Sequence, residues 1–145
     1  MSDANKQLAR RYFDDIINGR RFDLCHEIVA RTYVEHAAAP FSDSEPGEVD
    51  GPEATTATVR WLLEQFPDLH FTIDAVVAEG DLVCIRATGE GTNLGPMGPV
   101  PATGKRFRSL SSHWFRVSGG RLVEHWATRD DLTSMLQLGV VRAGG

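Results

Sequence analysis

Polar and aromatic residues near the C-terminus have the side-chain types that acid–base chemistry needs, namely His113, Trp126, Thr128 and Asp130. A carboxyl or imidazole group in a partly apolar pocket exchanges protons with a substrate near neutral pH, because burial shifts its pKa. No two histidines have the His-x-x-x-His spacing of a zinc site, so we expect no metal. Phosphate-loop, dinucleotide and Gly-x-Ser-x-Gly motifs are also missing, so we expect no kinase, no dehydrogenase and no serine esterase.

The pairing of two predicted strands decides whether these residues meet. A two-residue turn at Gly119-Gly120 would pair Ser118 with Arg121. Counting back then places His113 opposite Trp126, and the alternation of side chains puts one set on the cavity face: His113, Phe115, Trp126, Thr128 and Asp130. The other face would hold Arg116, His125, Ala127 and Arg129. A three-residue loop would shift the pairing by one and place His113 beside His125, and this alternative stays open.

The elements that must position these residues follow a helices-then-strands order. Helical periodicity predicts helices over 4–18, over 23–30, and from a cap at Asp50 to just before Pro67. Strand-like alternation then covers 33–36, 69–78, 82–92, 105–117 and 121–128, and a last helix runs from 130 or 131 to 138. This order predicts an α+β fold with a ligand cavity between sheet and helices. The loop 37–50 would be a flexible lid or an excursion over the pocket mouth.

Composition limits the classes of function. The 145 residues fit one domain, and a net charge of −5 without a basic patch argues against nucleic acid binding. No apolar run is long enough for a membrane helix, and the first residues lack the apolar segment of a signal peptide, so we expect a cytoplasmic protein. Cys25 and Cys84 are expected to be reduced thiols rather than a disulfide.

Two segments of the chain resemble the SnoaL-like polyketide cyclase family, a branch of the NTF2-like superfamily. They are Pro101-Ala102-Thr103-Gly104-Lys105, and Glu124-His125-Trp126 followed by Asp130 and Gln137-Leu138-Gly139. The resemblance implies a cone-shaped barrel, in which a curled antiparallel sheet wraps over three N-terminal helices with a short C-terminal helix. It also implies a cofactor-free cyclase or isomerase that acts on a small apolar or aromatic carbonyl-containing ligand.

The same resemblance implies roles for individual residues. Asp130 falls on the acid/base aspartate of polyketide cyclases. In ketosteroid isomerase, a more distant relative, the oxyanion tyrosine corresponds to Tyr12, the base carboxylate to His36 and the oxyanion aspartic acid to His113. We therefore predict Asp130, His113 and His36 as catalytic residues, and the substrate-binding residues Tyr12, Phe115, Trp126 and Thr128.

Other interpretations remain open at this stage. Asp130 could simply cap the last helix, a role for which Asp131 competes. The domain could be a non-catalytic module for ligand binding or dimerisation, or an epoxide hydrolase, which would need an Asp-Arg-Asp cluster around a water. We expect a homodimer, because an open curled sheet leaves one broad face to cover.

Overall fold

The structure, a computed structural model, describes residues 2–142 and has the predicted α+β architecture. Helices pack into the concave side of a curled six-stranded sheet, with strand order β2-β1-β6-β5-β4-β3. The strands are β1 (Val29–Glu35), β2 (Glu48–Val49), β3 (His70–Glu79), β4 (Leu82–Thr92), β5 (Arg106–Ser118) and β6 (Arg121–Arg129). Within the described residues, no helix is long and apolar enough to cross a membrane.

The first predicted helix is present but changes geometry halfway. It begins as α1 (Ser2–Arg11) and continues as a π-helix over Tyr12–Asn18, whose C-terminal cap is Gly19. A side chain at Gly19 could not fit there, since a Cβ would lie 2.7 Å from the carbonyl oxygen of Asp15. Segments of π-helix are rare and often mark functional sites. This one buries Tyr12, Phe13, Ile16 and Ile17 against the sheet.

The second and third helices differ from the prediction at their ends. A 3-10 turn (Phe22–Leu24) precedes the short helix α2 (Cys25–Ile28), and the chain is already extended at Val29. Helix α3 spans Pro52–Gln65, and its N-cap is Gly51. The prediction that Asp50 caps α3 is wrong, because Asp50 contributes its backbone oxygen, which accepts from Thr55 Oγ1 at 3.0 Å. The Asp50 side chain is thereby left to line the cavity.

The sheet is antiparallel except for the pairing of β1 with β6, which is parallel. The expectation of a wholly antiparallel sheet is therefore wrong at this position. Parallel neighbours need a long crossover connection, and here most of the chain lies between β1 and β6. The parallel register places Glu35 beside His125. Strand β2 lies inside the predicted loop 37–50 and pairs with β1.

A β-bulge in the last hairpin changes which residues face the cavity. The two-residue turn is confirmed, since Ser118 pairs with Arg121. The register then shifts, because Val117 pairs with Leu122 whereas Arg116 pairs with Glu124, leaving Val123 as an extra residue on β6. Beyond a bulge every pair is displaced by one position. The predicted pairing of His113 with Trp126 is therefore wrong: His113 pairs with Ala127, Trp126 pairs with Trp114, and His113 and Trp126 lie on opposite faces.

The C-terminal helix and the two cysteines agree with the prediction. Helix α4 (Asp131–Leu138) ends at Gly139, whose positive φ of 78° is the left-handed conformation that glycine adopts without strain. Both cysteines are free thiols, as expected, with Cys25 buried and Cys84 half-buried.

Candidate functional site

A cavity of about 190 Å³ lies between the inner face of the sheet and the helices. Its walls are mostly apolar, with aromatic side chains from the π-helix, the end of α3, and β3 and β5. Residues 37–40 of the loop that follows β1 also line it, which confirms that this loop passes over the pocket. The polar side chains that reach the cavity include Glu35, Asp50, Ser111, His113, His125 and Arg129.

A continuous chain of hydrogen bonds crosses one wall of this cavity. Ser111 Oγ lies 2.9 Å from His113 Nε2, and His113 Nδ1 lies 2.9 Å from His125 Nε2. His125 Nδ1 lies 2.7 Å from Glu35 Oε1. The two imidazole planes differ by only 3°, so the rings are nearly parallel. Both histidines are buried, at 6% and 4% exposure for His113 and His125.

Three features of the backbone bring these hydrogen-bonded side chains together. Alternation along β5 places Ser111 and His113 on the inner face. The bulge at Val123 turns His125 to that face, and the parallel β1–β6 register sets Glu35 next to His125. The site thus depends on the two features of the sheet that the sequence did not reveal.

Glu35 is the last member of this series of hydrogen bonds, at the end opposite Ser111. Its carboxylate also accepts from the Ala37 backbone N–H at 2.9 Å and from the Tyr33 hydroxyl at 3.2 Å. Burial raises the pKa of the Tyr33 hydroxyl well above its ordinary value, and burial together with the nearby charge of Glu35 does the same for the pKa of Tyr12. Both tyrosines therefore stay protonated and remain hydrogen-bond donors.

The acceptor at Glu35 fixes the direction of every hydrogen bond when both imidazoles are neutral. A carboxylate can only accept, so His125 carries its proton on Nδ1 and offers Nε2 as an acceptor. His113 must then donate from Nδ1, which leaves its Nε2 as the acceptor of the Ser111 hydroxyl proton. The chain therefore presents a basic ring nitrogen, His113 Nε2, on the cavity side.

Electrostatics keep His113 neutral. Burial lowers the pKa of His113 well below 6.5, and the neighbouring His125 and the positive charge of Arg129 lower it further. A neutral imidazole at physiological pH is available as a proton acceptor.

Arg129 and Asp50 complete the polar lining. The guanidinium group donates to the carbonyl oxygens of Ala37 and Ala38 and to Asp131, which fixes the loop over the cavity. Burial and the charges of Glu35 and Glu48 raise the pKa of Asp50 above its ordinary value. In the part of the chain that the structure describes, Arg129 forms an ion pair with one carboxylate, Asp131. Asp50 and Asp131 line the same cavity as Arg129, and of these two carboxylates the structure pairs Asp131 with the guanidinium.

Comparison with known proteins gives a consistent assignment. The family model for SnoaL-like polyketide cyclases matches residues 7–138. The chain belongs to the SnoaL-like polyketide cyclase family. Aklanonic acid methyl ester cyclase DauD from Streptomyces sp. strain C5 is 29% identical over 133 residues, which cover 91% of this chain and 80% of DauD. The corresponding cyclase DnrD from Streptomyces peucetius is also 29% identical, covering 91% of this chain and 88% of DnrD.

Solved structures agree with this membership. Wild-type IdmH from Streptomyces antibioticus superimposes with a TM-score of 0.79 at 30% identity, covering 93% of this chain and 98% of IdmH. A SnoaL-like protein from Jannaschia sp. CCS1 shares the fold, with a TM-score of 0.82 at 23% identity and coverage of 97% and 95%.

In this member of the SnoaL-like family, the predicted site residues fall into two groups. Tyr12 and His113 line the cavity. Phe115, predicted to bind substrate, lies fully buried on the inner face and is not among the residues that line the cavity; its ring stacks against His125 with centroids 4.7 Å apart. The Phe115 ring thereby packs against the imidazole of His125. These are the predicted residues that the fold does bring together.

His36, Trp126 and Thr128 lie on the outer face, so the prediction that they line the cavity is wrong. His36 follows Glu35, and alternation turns it outward while Glu35 turns inward. The His36 ring stacks on Trp126 with centroids 5.0 Å apart, and its Nε2 lies 2.7 Å from Glu124. Thr128 pairs with Ser112 on the same outer side.

Asp130 also lies outside the cavity, contrary to the predicted placement. Its carboxylate caps α4 by accepting from the backbone N–H of Thr133 at 3.1 Å and from its hydroxyl at 2.6 Å. These hydrogen bonds lower the pKa of the exposed Asp130 carboxyl. The structure therefore gives Asp130 the capping position, which was the alternative interpretation.

The sequence analysis did not place five of the polar residues in the cavity, namely Glu35, Asp50, Ser111, His125 and Arg129. The open three-residue-loop alternative did place His113 beside His125. A second local signal was the pair of adjacent apolar residues Leu122 and Val123, which breaks the alternation where the bulge occurs.

Proposed function

We propose that this protein closes a ring in a polyketide-like carbonyl substrate by removing a proton next to a carbonyl group, without a cofactor. His113 is the base. The observation that carries this proposal is the buried His113–His125–Glu35 chain in the wall of an apolar cavity.

The reaction is an aldol addition in which atoms are conserved. The acidic C–H of the substrate displaces the Ser111 hydroxyl from His113 Nε2 and transfers its proton to that nitrogen. The resulting enolate carbon attacks a second carbonyl of the same molecule, forming a carbon–carbon bond. The new alkoxide takes up the proton that His113 received, so the product is an isomer of the substrate.

The hydrogen-bonded series His113–His125–Glu35, here called the relay, lowers the free energy of the protonated intermediate. A cation on His113 itself would be buried and close to Arg129, which is unfavourable. Release of the Nδ1 proton to His125 moves the charge to an imidazole whose Nδ1 is 2.7 Å from Glu35. The carboxylate then stabilises the cation through a short, charge-assisted hydrogen bond.

The developing enolate needs a hydrogen-bond donor or a positive charge nearby. Arg129 supplies a positive charge in the cavity wall, and Tyr12 supplies a hydroxyl that stays protonated. We assign enolate stabilisation to these two residues.

The substrate class follows from the cavity and the relatives. The walls are apolar and aromatic, which suits an aromatic polyketide. The relatives DauD and DnrD are cyclases of aklanonic acid methyl ester. The cavity is smaller than typical ligand pockets of ~300–1,000 Å³, so we expect the reacting ring inside and the remainder against the loop 37–50.

The test uses aklanonic acid methyl ester with the purified full chain, and chromatography to follow conversion to an isomer of equal mass. Removing the acceptor at the end of the relay should leave binding intact but slow catalysis, because a neutral amide stabilises a cation poorly. Glu35→Gln should therefore lower kcat by about 10²-fold, within the range for acid–base catalysis, with little change in KM.

Glu53→Gln is the matched control, because Glu53 is an exposed carboxylate at the start of α3, outside the cavity lining. It should keep wild-type kcat. Full turnover by a folded Glu35→Gln or His113→Gln variant would contradict the mechanism. Binding of the ester without conversion or exchange of the acidic C–H in D₂O would instead favour the non-catalytic ligand-binding alternative.

A further inference from the structure

The serine at the cavity end of the relay has a geometry that ring closure does not use. We infer that Ser111 is an activated nucleophile, and that the same cavity can transfer the acyl group of a small activated ester to Ser111 and hydrolyse it. This activity goes beyond the proposed cyclisation, because it forms a covalent intermediate on the protein.

The first support is the alignment of Ser111 with a base. A serine hydroxyl becomes nucleophilic when its proton is directed at a basic nitrogen whose own orientation is fixed by a further group. Here His113 Nε2 lies 2.9 Å from Ser111 Oγ, and His125 and Glu35 hold the His113 ring through bonds of 2.9 and 2.7 Å. A serine–histidine–carboxylate triad has one imidazole, and this chain has two in series.

The second support is a positive charge beside the serine. Ser111 and Arg129 are direct cross-strand partners, and both line the cavity. The hydrogen bonds that the structure gives Arg129 come from Nε once, Nη1 once and Nη2 twice. A guanidinium has five N–H donors. Within the described residues, one N–H on Nη1 is therefore uncommitted and can serve the oxyanion of an ester carbonyl.

The reaction balances without any added cofactor. Ser111 Oγ attacks the ester carbonyl carbon, its proton passes to His113 Nε2, and the negative charge on the carbonyl oxygen faces Arg129. The carbon–alkoxy bond then breaks and the leaving group takes the proton from His113. Water attacks the acyl-serine in the same way, which releases a carboxylic acid and restores Ser111.

This arrangement is not visible in the sequence, because the Gly-x-Ser-x-Gly motif is absent. That motif places a serine on a sharp strand-to-helix turn. Ser111 instead lies within a strand, two residues before its base, and alternation alone puts both side chains on one face. Serine nucleophiles are recognised by the geometry of their partners and not by one sequence motif.

The test is covalent labelling of the full-length protein with diisopropyl fluorophosphate, followed by intact mass and peptide mapping. Wild type should gain one diisopropylphosphoryl group on Ser111 with loss of fluoride. Ser111→Ala should gain none. Ser112→Ala is the matched control, because Ser112 is the next residue on β5 and faces the outer side. It should be labelled at the wild-type rate.

A second measurement tests whether the reactivity of Ser111 depends on His113 as its base. His113→Gln should lower the rate of labelling and of p-nitrophenyl acetate hydrolysis by about 10²-fold or more, as expected for loss of a general base. No adduct on wild type, an adduct on another residue, or equal labelling of the His113→Gln variant would overturn the inference. Neither probe is the cyclisation substrate, so failure here and failure of the proposed ring closure are observed separately.

Discussion

At the scale of single residues, His113 couples the chemistry of the cavity to the stability of the fold. The native state accommodates the buried imidazole of His113 only in its neutral form, so protonation of His113 favours unfolding. The groups that face it are His125, Arg129 and the Ser111 hydroxyl. His125 and Arg129 disfavour a positive charge on the His113 ring. The carboxylate of Glu35 contacts His125 and not His113.

We predict that the free energy of unfolding decreases as the pH falls below about 6.5. The pKa of His113 is lower in the folded chain than the 6.5 of an exposed histidine, so between these two values the unfolded state binds more protons. Stability therefore rises with pH through this window and is lost as the pH falls. Each unit by which the pKa is lowered contributes about 1.4 kcal/mol. The free energy of unfolding, measured by urea denaturation at about pH 7.5, 6.5, 5.5 and 5.0, reports this change.

The variant that isolates this effect is His113→Gln, which removes the ionisable group and should flatten the dependence on pH. His70→Gln is the control, because His70 is an exposed histidine on β3. It should keep the wild-type slope. An equal slope in wild type and in His113→Gln would mean that another group controls the acid sensitivity.

At the scale of elements, the sequence predicted the order, type and approximate limits of the helices and long strands. Each of these has a local cause: helical periodicity in 4–18, alternation in β4, and the glycine pair that makes the last turn. The parallel β1–β6 pairing has no local cause, because residues far apart in the chain form it. That is why Glu35 was not placed in the cavity.

The β-bulge had a larger effect on the site than any other feature. One extra residue, Val123, exchanges the two faces of β6 beyond it, so His125 and Arg129 turn inward and Trp126 and Thr128 turn outward. On β5, where the alternation is continuous, the inner positions of His113 and Phe115 were predicted correctly. The sequence could therefore locate the cavity and place His113 in its polar wall, whereas the inward orientation of His125 and Arg129 depended on a single inserted residue.

The N-terminus of α4 tests whether Asp130 is a structural residue. Removal of a capping carboxylate costs about 1 kcal/mol, so Asp130→Ala should lower the free energy of unfolding by that amount. Asp130→Ser keeps an oxygen that can accept from Thr133 N and should retain most of the stability. Since Asp130 is exposed and outside the cavity lining, both variants should keep wild-type turnover of aklanonic acid methyl ester. A large loss of kcat in both would restore Asp130 to the catalytic role.

At the scale of the whole molecule, the outer face of the sheet carries an apolar row that the described residues leave partly exposed. Val77, Cys84, Trp114 and Trp126 are successive cross-strand partners on β3, β4, β5 and β6. Val77 and Trp114 are 62% and 44% exposed. Arg86 and Glu124 lie two residue pairs away along the strands, on opposite sides of the row, so the surface offers both signs of charge.

We predict that a second copy of this chain covers the row. A two-fold interface pairs a surface with itself, so an apolar centre bordered by charges of both signs is compatible with its own copy. Trp114→Glu would place a carboxylate at the centre of each facing surface and should convert a dimer to a monomer in light scattering at micromolar concentration. Leu94→Glu is the control: Leu94 is 62% exposed but lies in the loop after β4, away from the row, so this variant should stay dimeric. A monomeric wild type, or a Trp114→Glu variant that remains a dimer, would contradict the prediction.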